Sequence, residues 1–129
     1  MTYTPTPEED RIAAAIVDAG FQVHKALGPG LLESAYEECL AFELAERRLS
    51  VRRQVAMPIT YKSVQLEAGY RIDLIVASLV IVEIKAIEQV QRIHQAQLMT
   101  YLRLSGCRLG FLLNFTVPVF KNGVQRIVV

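Results

Sequence analysis

Two carboxylates and an amine interrupt segments of the chain that otherwise consist of apolar, strand-forming residues. Asp73 lies within residues 70–76, and Glu83 and Lys85 lie within residues 79–86. Residues i and i+2 of a strand share one face, so Glu83 and Lys85 point to the same side, about 6.6 Å apart along the strand. Asp73, Glu83 and Lys85 are therefore the first candidates for metal binding and catalysis.

The position of a turn decides whether the two carboxylates meet. If the two segments form an antiparallel hairpin centred on Ser78, Asp73 lies directly opposite Glu83, with Cβ atoms about 4.5–5.5 Å apart. Two like charges at that separation repel by roughly 3 kcal/mol at an effective dielectric constant of 20. A bound divalent cation reverses the sign of that interaction, and Mg²⁺ and Mn²⁺ favour such oxygen ligands.

Lys85 fits such a site, because an ammonium group beside a cation can orient an attacking water or stabilise the charge of a phosphate. Spacing alone leaves a second interpretation open. In that interpretation Glu83 and Lys85 form a solvated ion pair at a strand end, and Asp73 is exposed at a sheet edge.

Two predicted helices contribute further candidates. Glu33 and Tyr36 follow the turn at residues 28–30 and share one helix face. Gln97 and Tyr101 lie within an apolar helical stripe, where a buried amide needs a hydrogen-bond partner. The alternative is that Glu33 only complements the helix dipole, that both tyrosines belong to the core, and that Gln97 flanks the surface.

Four arginines lie close together in the sequence. They form either a local patch that contacts phosphates or a solvated helix end followed by a strand. They are Arg47, Arg48, Arg52 and Arg53.

Local signals predict the helices that position these side chains. Thr6, Pro7 and Glu9 have the types and order of an N-cap, a first-turn proline and a capping-box partner, which predicts a helix that ends at residues 28–30. A second helix is predicted over residues 31–48. A third is predicted over residues 88–104, with Gly106 closing it.

Short segments rich in β-branched and aromatic residues predict strands. Successive antiparallel strands are expected over residues 51–56, 59–63, 70–76 and 79–86, and a core strand over residues 109–115. Asn122-Gly123 between two β-rich arms predicts a C-terminal β-hairpin over residues 117–129. The order of elements indicates one mixed α/β domain over residues 1–129, with a central sheet flanked by helices.

The composition excludes several classes of protein. The chain has 129 residues, 52% of them hydrophobic, and a formal net charge of +1 from 14 basic and 13 acidic residues. Disorder is not expected from that balance, and strong non-specific coating of nucleic acid is not expected either. Neither a leader sequence nor an apolar run long enough to span a membrane is recognised, so a cytoplasmic protein is expected.

Taken in chain order, the candidate residues resemble the GxxExxY protein family, a branch of the PD-(D/E)xK nuclease superfamily. The resemblance extends over residues 12–128. Its motifs are Gly-Leu-Leu-Glu-Ser-Ala-Tyr at residues 30–36, Arg-Ile-Asp-Leu at 71–74, Val-Glu-Ile-Lys-Ala at 82–86, Gln-Leu-Met-Thr-Tyr-Leu at 97–102 and Leu-Leu-Asn-Phe at 112–115.

The resemblance implies a restriction-endonuclease-like core and a set of roles in the site. By similarity, Asp73 and Glu83 hold Mg²⁺ or Mn²⁺, and Lys85 is the catalytic lysine. Glu33 is the acidic residue contributed by the first core helix, which acts in catalysis and in metal binding. One departure from the pattern is Ile72, which stands where the superfamily has proline; that proline supplies no ligand.

The resemblance also extends to residues that contact the substrate. Gln97 and Tyr101 match a QxxxY motif that supports the active site and contacts the DNA strand. Apart from the resemblance, Tyr36 on the second helix and Arg52 and Arg53 of the arginine cluster are the expected substrate-binding residues.

The first functional hypothesis is a Mg²⁺-dependent nuclease that hydrolyses phosphodiester bonds of DNA. The second is a catalytically inactive module with the nuclease fold that binds nucleic acid or a protein partner. A role in RNA processing is a third hypothesis that the sequence does not separate from the first, and a homo-oligomer assembled through the tail hairpin is left open.

Overall fold

The computed structural model describes residues 2–67 and 69–129 of the chain. Its helices are α1 (Pro7–Leu27), α2 (Glu33–Glu46) and α3 (Arg92–Ser105), and a short 3₁₀ helix spans Phe120–Gly123. Its strands are β1 (Val51–Ala56), β2 (Ile59–Tyr61), β3 (Val64–Leu66), β4 (Arg71–Val76), β5 (Val80–Lys85), β6 (Leu109–Asn114) and β7 (Val124–Val128).

The predicted capping box begins α1. The backbone N–H of Glu9 donates to the Thr6 hydroxyl over 3.1 Å, and the Glu9 carboxylate accepts from the backbone N–H of Thr6 over 2.8 Å. These bonds satisfy backbone donors that the first turn of a helix leaves unpaired. The helix ends before Gly28, whose φ of 67° is typical of glycine.

Five strands form the main sheet, in the order β1-β4-β5-β6-β7. Neighbouring strands are antiparallel except β5 and β6, which are parallel. A parallel pair requires a crossover connection, and α3 supplies it. The sheet separates two hydrophobic clusters, one that includes residues of α1 and α2 and one that includes residues of α3. The predicted mixed α/β fold, with a sheet flanked by helices, is confirmed.

Side chains of β5 alternate between these two clusters. Val80, Val82 and Ile84 belong to the cluster with α1 and α2, whereas Ile81 belongs to the cluster with α3. By the same alternation, Glu83 and Lys85 continue the face that begins with Ile81. The central position of β5 therefore requires polar side chains to enter a buried layer.

The segment between β1 and β4 differs from the prediction of one strand over residues 59–63. It forms two short strands, β2 and β3, which pair with each other in a separate two-stranded sheet. Lys62 has a φ of 54°, a left-handed conformation that ends the first of these strands. β1 consequently pairs with β4 instead of the strand that follows it in sequence.

The third helix begins at Arg92, later than the predicted residue 88. The backbone N–H of Gln91 donates to Nδ1 of His94 over 2.9 Å, so a histidine side chain satisfies a donor at the helix start. The predicted end is confirmed, because Gly106 follows the helix in the left-handed conformation with a φ of 81°.

The apolar stripe predicted on α3 is buried only in part. Leu98, Tyr101 and Leu102 are buried, whereas the apolar side chains of Ile93 and Leu104 are 69% and 44% exposed. Ile93 and Leu104 line an open cleft beside β2, so the apolar side chains of this stripe do not all face the sheet.

The predicted C-terminal β-hairpin with an Asn122-Gly123 turn does not form. These residues belong to the 3₁₀ helix, and β7 pairs with β6 instead of an arm that begins at Val117. The physical reason is close packing: a Cβ added at Gly123 would lie 2.1 Å from the backbone oxygen of Asn114. Gly123 therefore permits a close backbone approach and does not supply a hairpin turn.

In the part of the chain that the structure describes, no helix is both long and apolar enough to cross a membrane.

Candidate active site

The β4–β5 hairpin has the register that brings Asp73 and Glu83 together. Leu74 pairs with Val82, and the turn is centred on Ser78, which has a left-handed φ of 58°. One step further from the turn, the same register matches Asp73 with Glu83, although regular strand pairing ends before them. The predicted centre of the turn is confirmed.

Carboxylate oxygens replace ladder hydrogen bonds at this point. The Glu83 carboxylate accepts from the backbone N–H of Asp73 over 2.8 Å, and the Asp73 carboxylate accepts from the backbone N–H of Ile84 over 2.8 Å. Regular pairing of β4 with β5 ends at Leu74. Each carboxylate is therefore held by the backbone of the opposite strand.

Glu83 is only 4% exposed, and its environment opposes ionisation. Burial and the nearby charge of Asp73 raise the pKa of Glu83 to about 8, against the opposing effects of the Asp73 N–H and the Lys85 charge. Two such carboxylates carry a negative charge that a cation would offset, and hard oxygen donors are the ligands that Mg²⁺ and Mn²⁺ prefer. The residues present thus fit a divalent cation.

Lys85 is half-buried at the end of β5. It pairs in register with Asn114, and its carbonyl oxygen accepts from the backbone N–H of Phe115 over 3.0 Å. Among the described residues, none of the side-chain ion pairs within 4.0 Å involves Lys85. The burial of Glu83 and the interior position of β4 exclude the alternative of a solvated ion pair beside an exposed edge residue.

Asn114 fixes the chain that follows Lys85. Its side-chain amide donates to the carbonyl oxygen of Ile87 over 2.9 Å, and its Oδ1 accepts from the backbone N–H groups of Ile87 and Thr116 over 3.2 Å each. Asn114 is 3% exposed. This buried amide therefore ties the loop after β5 to the end of β6.

Glu37 and Gln54 belong to the site although the sequence analysis did not select them. The Gln54 side-chain amide donates to the Glu37 carboxylate over 2.6 Å and to Asp73 Oδ1 over 3.2 Å. Arg53 pairs with the other oxygen of Glu37 over 3.0 Å. The spacing of Glu37, one helical turn after Glu33, was the available signal for its position on the same face.

Glu33 reaches the same end of the sheet from the first turn of α2. Its carboxylate accepts from the backbone N–H of Ala86 over 3.2 Å.

Among the described residues, no group of three or more His, Cys, Asp or Glu side chains could hold a metal ion. A polar cleft of about 470 Å³ opens here and is lined by Glu33, Ser34, Glu37, Gln54, Asp73 and Ile84.

Gln97 and Tyr101 form the predicted contact on α3. The Gln97 amide donates to the Tyr101 hydroxyl over 3.2 Å. Burial, followed by the charges of Glu83 and Asp73, raises the pKa of Tyr101. Both residues line a second cleft, of about 320 Å³, with Ile59 and Tyr70. The carboxylate pair thus lies between the α2 side and the α3 side of the hairpin.

Tyr36 is fully buried, and its ring stacks on Phe115 with centroids 4.5 Å apart. Its hydroxyl donates to the carbonyl oxygen of Gly28 over 2.5 Å and accepts from the backbone N–H of Leu31 over 3.1 Å. The side chain is therefore committed to the turn between α1 and α2, and it is not available to a substrate.

The four arginines do not form one patch. Arg47 pairs with Asp18 and Glu43 on the helical side, and Arg53 pairs with Glu37. Arg52 is exposed and lies beside Ile75 of β4. The predicted phosphate-contacting cluster is thereby divided by acidic partners.

Comparisons with known proteins identify one family. A family model described as the PD-(D/E)XK nuclease superfamily matches residues 10–127. A search of the curated proteins gave no match, and a search of the solved structures gave none.

Proposed function

The chain belongs to the PD-(D/E)XK nuclease superfamily, and from that premise we propose that it is a Mg²⁺- or Mn²⁺-dependent nuclease that hydrolyses phosphodiester bonds of DNA. The proposed site comprises Asp73, Glu83 and Lys85 at the open end of the β4–β5 hairpin. The resemblance to the GxxExxY family stays part of this proposal.

One observation carries the proposal. A buried carboxylate, Glu83, faces a second carboxylate, Asp73, and its pKa is raised to about 8. A fold that only needed to pack these strands would place apolar side chains there, because a buried like-charge pair is destabilising. Such a pair is useful where a cation and a phosphate are bound.

Asp73 and Glu83 are the proposed metal ligands. A divalent cation bound there would act as a Lewis acid and lower the pKa of a coordinated water. Lys85 stands on the same strand face as Glu83. We assign its ammonium group to orienting the water and to stabilising the negative charge that develops on the phosphate.

The remaining candidates receive supporting roles. Glu33, whose carboxylate accepts from the Ala86 N–H, is proposed as a further acidic residue of catalysis and metal binding. Gln97 and Tyr101 lie on the opposite side and are proposed to support the carboxylates and to contact the strand. Arg52 is the proposed phosphate contact, whereas Arg53 acts through Glu37.

The proposed substrate is DNA. The protein is expected to hold it at one small site, because a formal net charge of +1 does not favour extended non-specific contact with nucleic acid. A cleavage assay with matched DNA and RNA substrates distinguishes hydrolysis of DNA from hydrolysis of RNA. The cytoplasm is the proposed location.

The test is cleavage of labelled single-stranded, duplex and branched DNA, and of matched RNA, by purified protein with Mg²⁺ or Mn²⁺. We expect cleavage of DNA by the wild-type protein and its loss in Asp73→Asn and Lys85→Ala. Glu38→Gln is the matched control, because Glu38 is an exposed carboxylate on α2. Equal cleavage by all four proteins would identify a contaminant and overturn the proposal.

Calorimetric titration with Mn²⁺ separates an enzyme from an inactive module. We expect binding that is lost in Glu83→Gln and kept in Glu38→Gln. Binding of nucleic acid or protein without cleavage and without Glu83-dependent metal binding would favour the inactive module.

A further inference from the structure

We infer that Gln54 is a positioning residue, which orients the Asp73 carboxylate by linking it to the buried carboxylate of Glu37. Its kinetic consequence rests on the proposed function, whereas its structural consequence can be measured in the metal-free protein.

The hydrogen bonds of Asp73 define the argument. Its Oδ2 accepts from the backbone N–H of Ile84 over 2.8 Å, and its Oδ1 accepts from the Gln54 amide over 3.2 Å. The two donors belong to the strands on either side of β4. Rotation of the carboxylate would break both bonds, so its plane is fixed from both directions.

Gln54 is itself held in place. The same amide nitrogen donates to Glu37 Oε1 over 2.6 Å, and Glu37 Oε2 accepts from Arg53 Nε over 3.1 Å and from Nη2 over 3.0 Å. Glu37 is only 6% exposed. An amide anchored to a buried carboxylate, which is in turn anchored to an arginine, has a defined direction.

The backbone of Gln54 shows why this arrangement is unusual. Arg53 pairs with Leu74 and Val55 pairs with Ile72, whereas Gln54, between them, has a left-handed φ of 49°. Adjacent residues in a regular strand point to opposite faces. Arg53 and Gln54 nevertheless both contact Glu37, because the left-handed residue turns its side chain toward α2.

Regular strand pairing does not account for this conformation. A regular residue at position 54 would continue the ladder with β4, and glutamine is not among the residues that favour a left-handed backbone. The visible result of the strained position is one amide group that donates to two carboxylates, Glu37 over 2.6 Å and Asp73 over 3.2 Å. We therefore assign the orientation of Asp73 to Gln54.

The experiment compares wild type with Gln54→Ala and Gln54→Glu, and uses Gln65→Ala as the control. Gln65 is an exposed glutamine in β3, away from the site. In the chelator-treated, ¹⁵N-labelled protein, we expect the Ile84 amide to exchange with solvent at least tenfold faster in both Gln54 variants and at the wild-type rate in Gln65→Ala. Removal of one of the two donors frees the Asp73 carboxylate to leave Ile84.

The kinetic experiment measures kcat and KM for DNA cleavage separately in each variant and in the wild-type protein. We expect kcat to fall roughly 10–100-fold in Gln54→Ala with KM nearly unchanged, and to fall further in Gln54→Glu, where a carboxylate is added beside Asp73 and Glu83. Gln54→Asn, which keeps an amide and suits a left-handed backbone, should recover part of the loss.

The two readouts separate the inference from the proposed function. An unchanged Ile84 exchange rate in both folded Gln54 variants would overturn the positioning role, whether or not the protein cleaves DNA. Faster Ile84 exchange in the Gln54 variants, together with no nuclease activity in the wild-type protein, would support the positioning role and overturn the proposed function alone. If Gln54→Ala does not fold, Gln54→Glu and Gln54→Asn decide the same question.

Discussion

The two ends of β5 are built in different ways. At the turn, Val80 and Ile81 are fully buried and pair with β4 in a regular ladder. At the other end, Glu83 and Lys85 occupy the face that Ile81 begins, and side chains replace the ladder hydrogen bonds. One strand thus combines an apolar end that packs in the core with a charged end, four residues away, where the proposed site lies.

Removal of the amine at the charged end should give the largest effect on activity. Lys85→Ala is expected to reduce kcat by roughly 10²–10³-fold, because it removes a charge directed at the phosphate. The melting temperature should stay near that of the wild type, since Lys85 has no ion-pair partner among the described residues. Single-turnover cleavage and thermal unfolding measure the two quantities. A large fall in melting temperature would show that both ends of β5 contribute to stability.

Truncation at the apolar end should give the opposite result. Ile81 is fully buried beside α3, so Ile81→Ala is expected to lower the free energy of unfolding by about 2–5 kcal/mol. Urea unfolding at neutral pH measures this value, and kcat at low temperature should change little. A loss of kcat comparable with that of Lys85→Ala, in folded protein, would contradict the separation of the two ends.

The charged end should also make stability depend on pH in the metal-free protein. The pKa of Glu83 is about 8 in the folded chain, against an ordinary value of 4.5. Between those values the native state binds more protons than the unfolded state, so the free energy of unfolding falls as pH rises and levels off above about pH 8. Urea unfolding in chelator from about pH 5 to about pH 9 tests this, and Glu83→Gln should flatten the profile. Equal slopes in both proteins would assign the dependence to other groups.

The smallest expected effect lies outside both ends. Thr6→Ala removes the N-cap of α1 and should lower the free energy of unfolding by about 1 kcal/mol. Activity should be unchanged, because Thr6 does not contact the hairpin. Parallel urea unfolding and cleavage assays compare this variant with Ile81→Ala. A reduced kcat here would indicate that any loss of stability reaches the site.

Features controlled by neighbouring residues could be predicted from the sequence. The capping box at Thr6 depends on residues within one turn, and the pairing of Asp73 with Glu83 depends only on the position of the turn at Ser78. The PD-(D/E)XK pattern added the fold, because it combines several short motifs in order. The roles of the site residues stay predictions.

The features that could not be predicted depend on close approach between distant segments. Asn122-Gly123 has the composition of a hairpin turn, but Gly123 is needed where the backbone passes Asn114. Glu37 and Gln54 have ordinary types for a helix and a strand. Only the left-handed backbone of Gln54 directs its amide to both Glu37 and Asp73, and no residue near Gln54 in the sequence indicates that conformation.

The conformation of Gln54 sets a limit on how stable this fold can become. A left-handed residue other than glycine costs roughly 1–3 kcal/mol, and Gln54→Gly would recover part of that energy. The same change would delete the amide that orients Asp73. Selection for thermal stability alone would therefore favour glycine at this position, whereas selection for turnover would retain glutamine. A library screened separately for each property would reveal this trade-off as two opposite preferences at one residue.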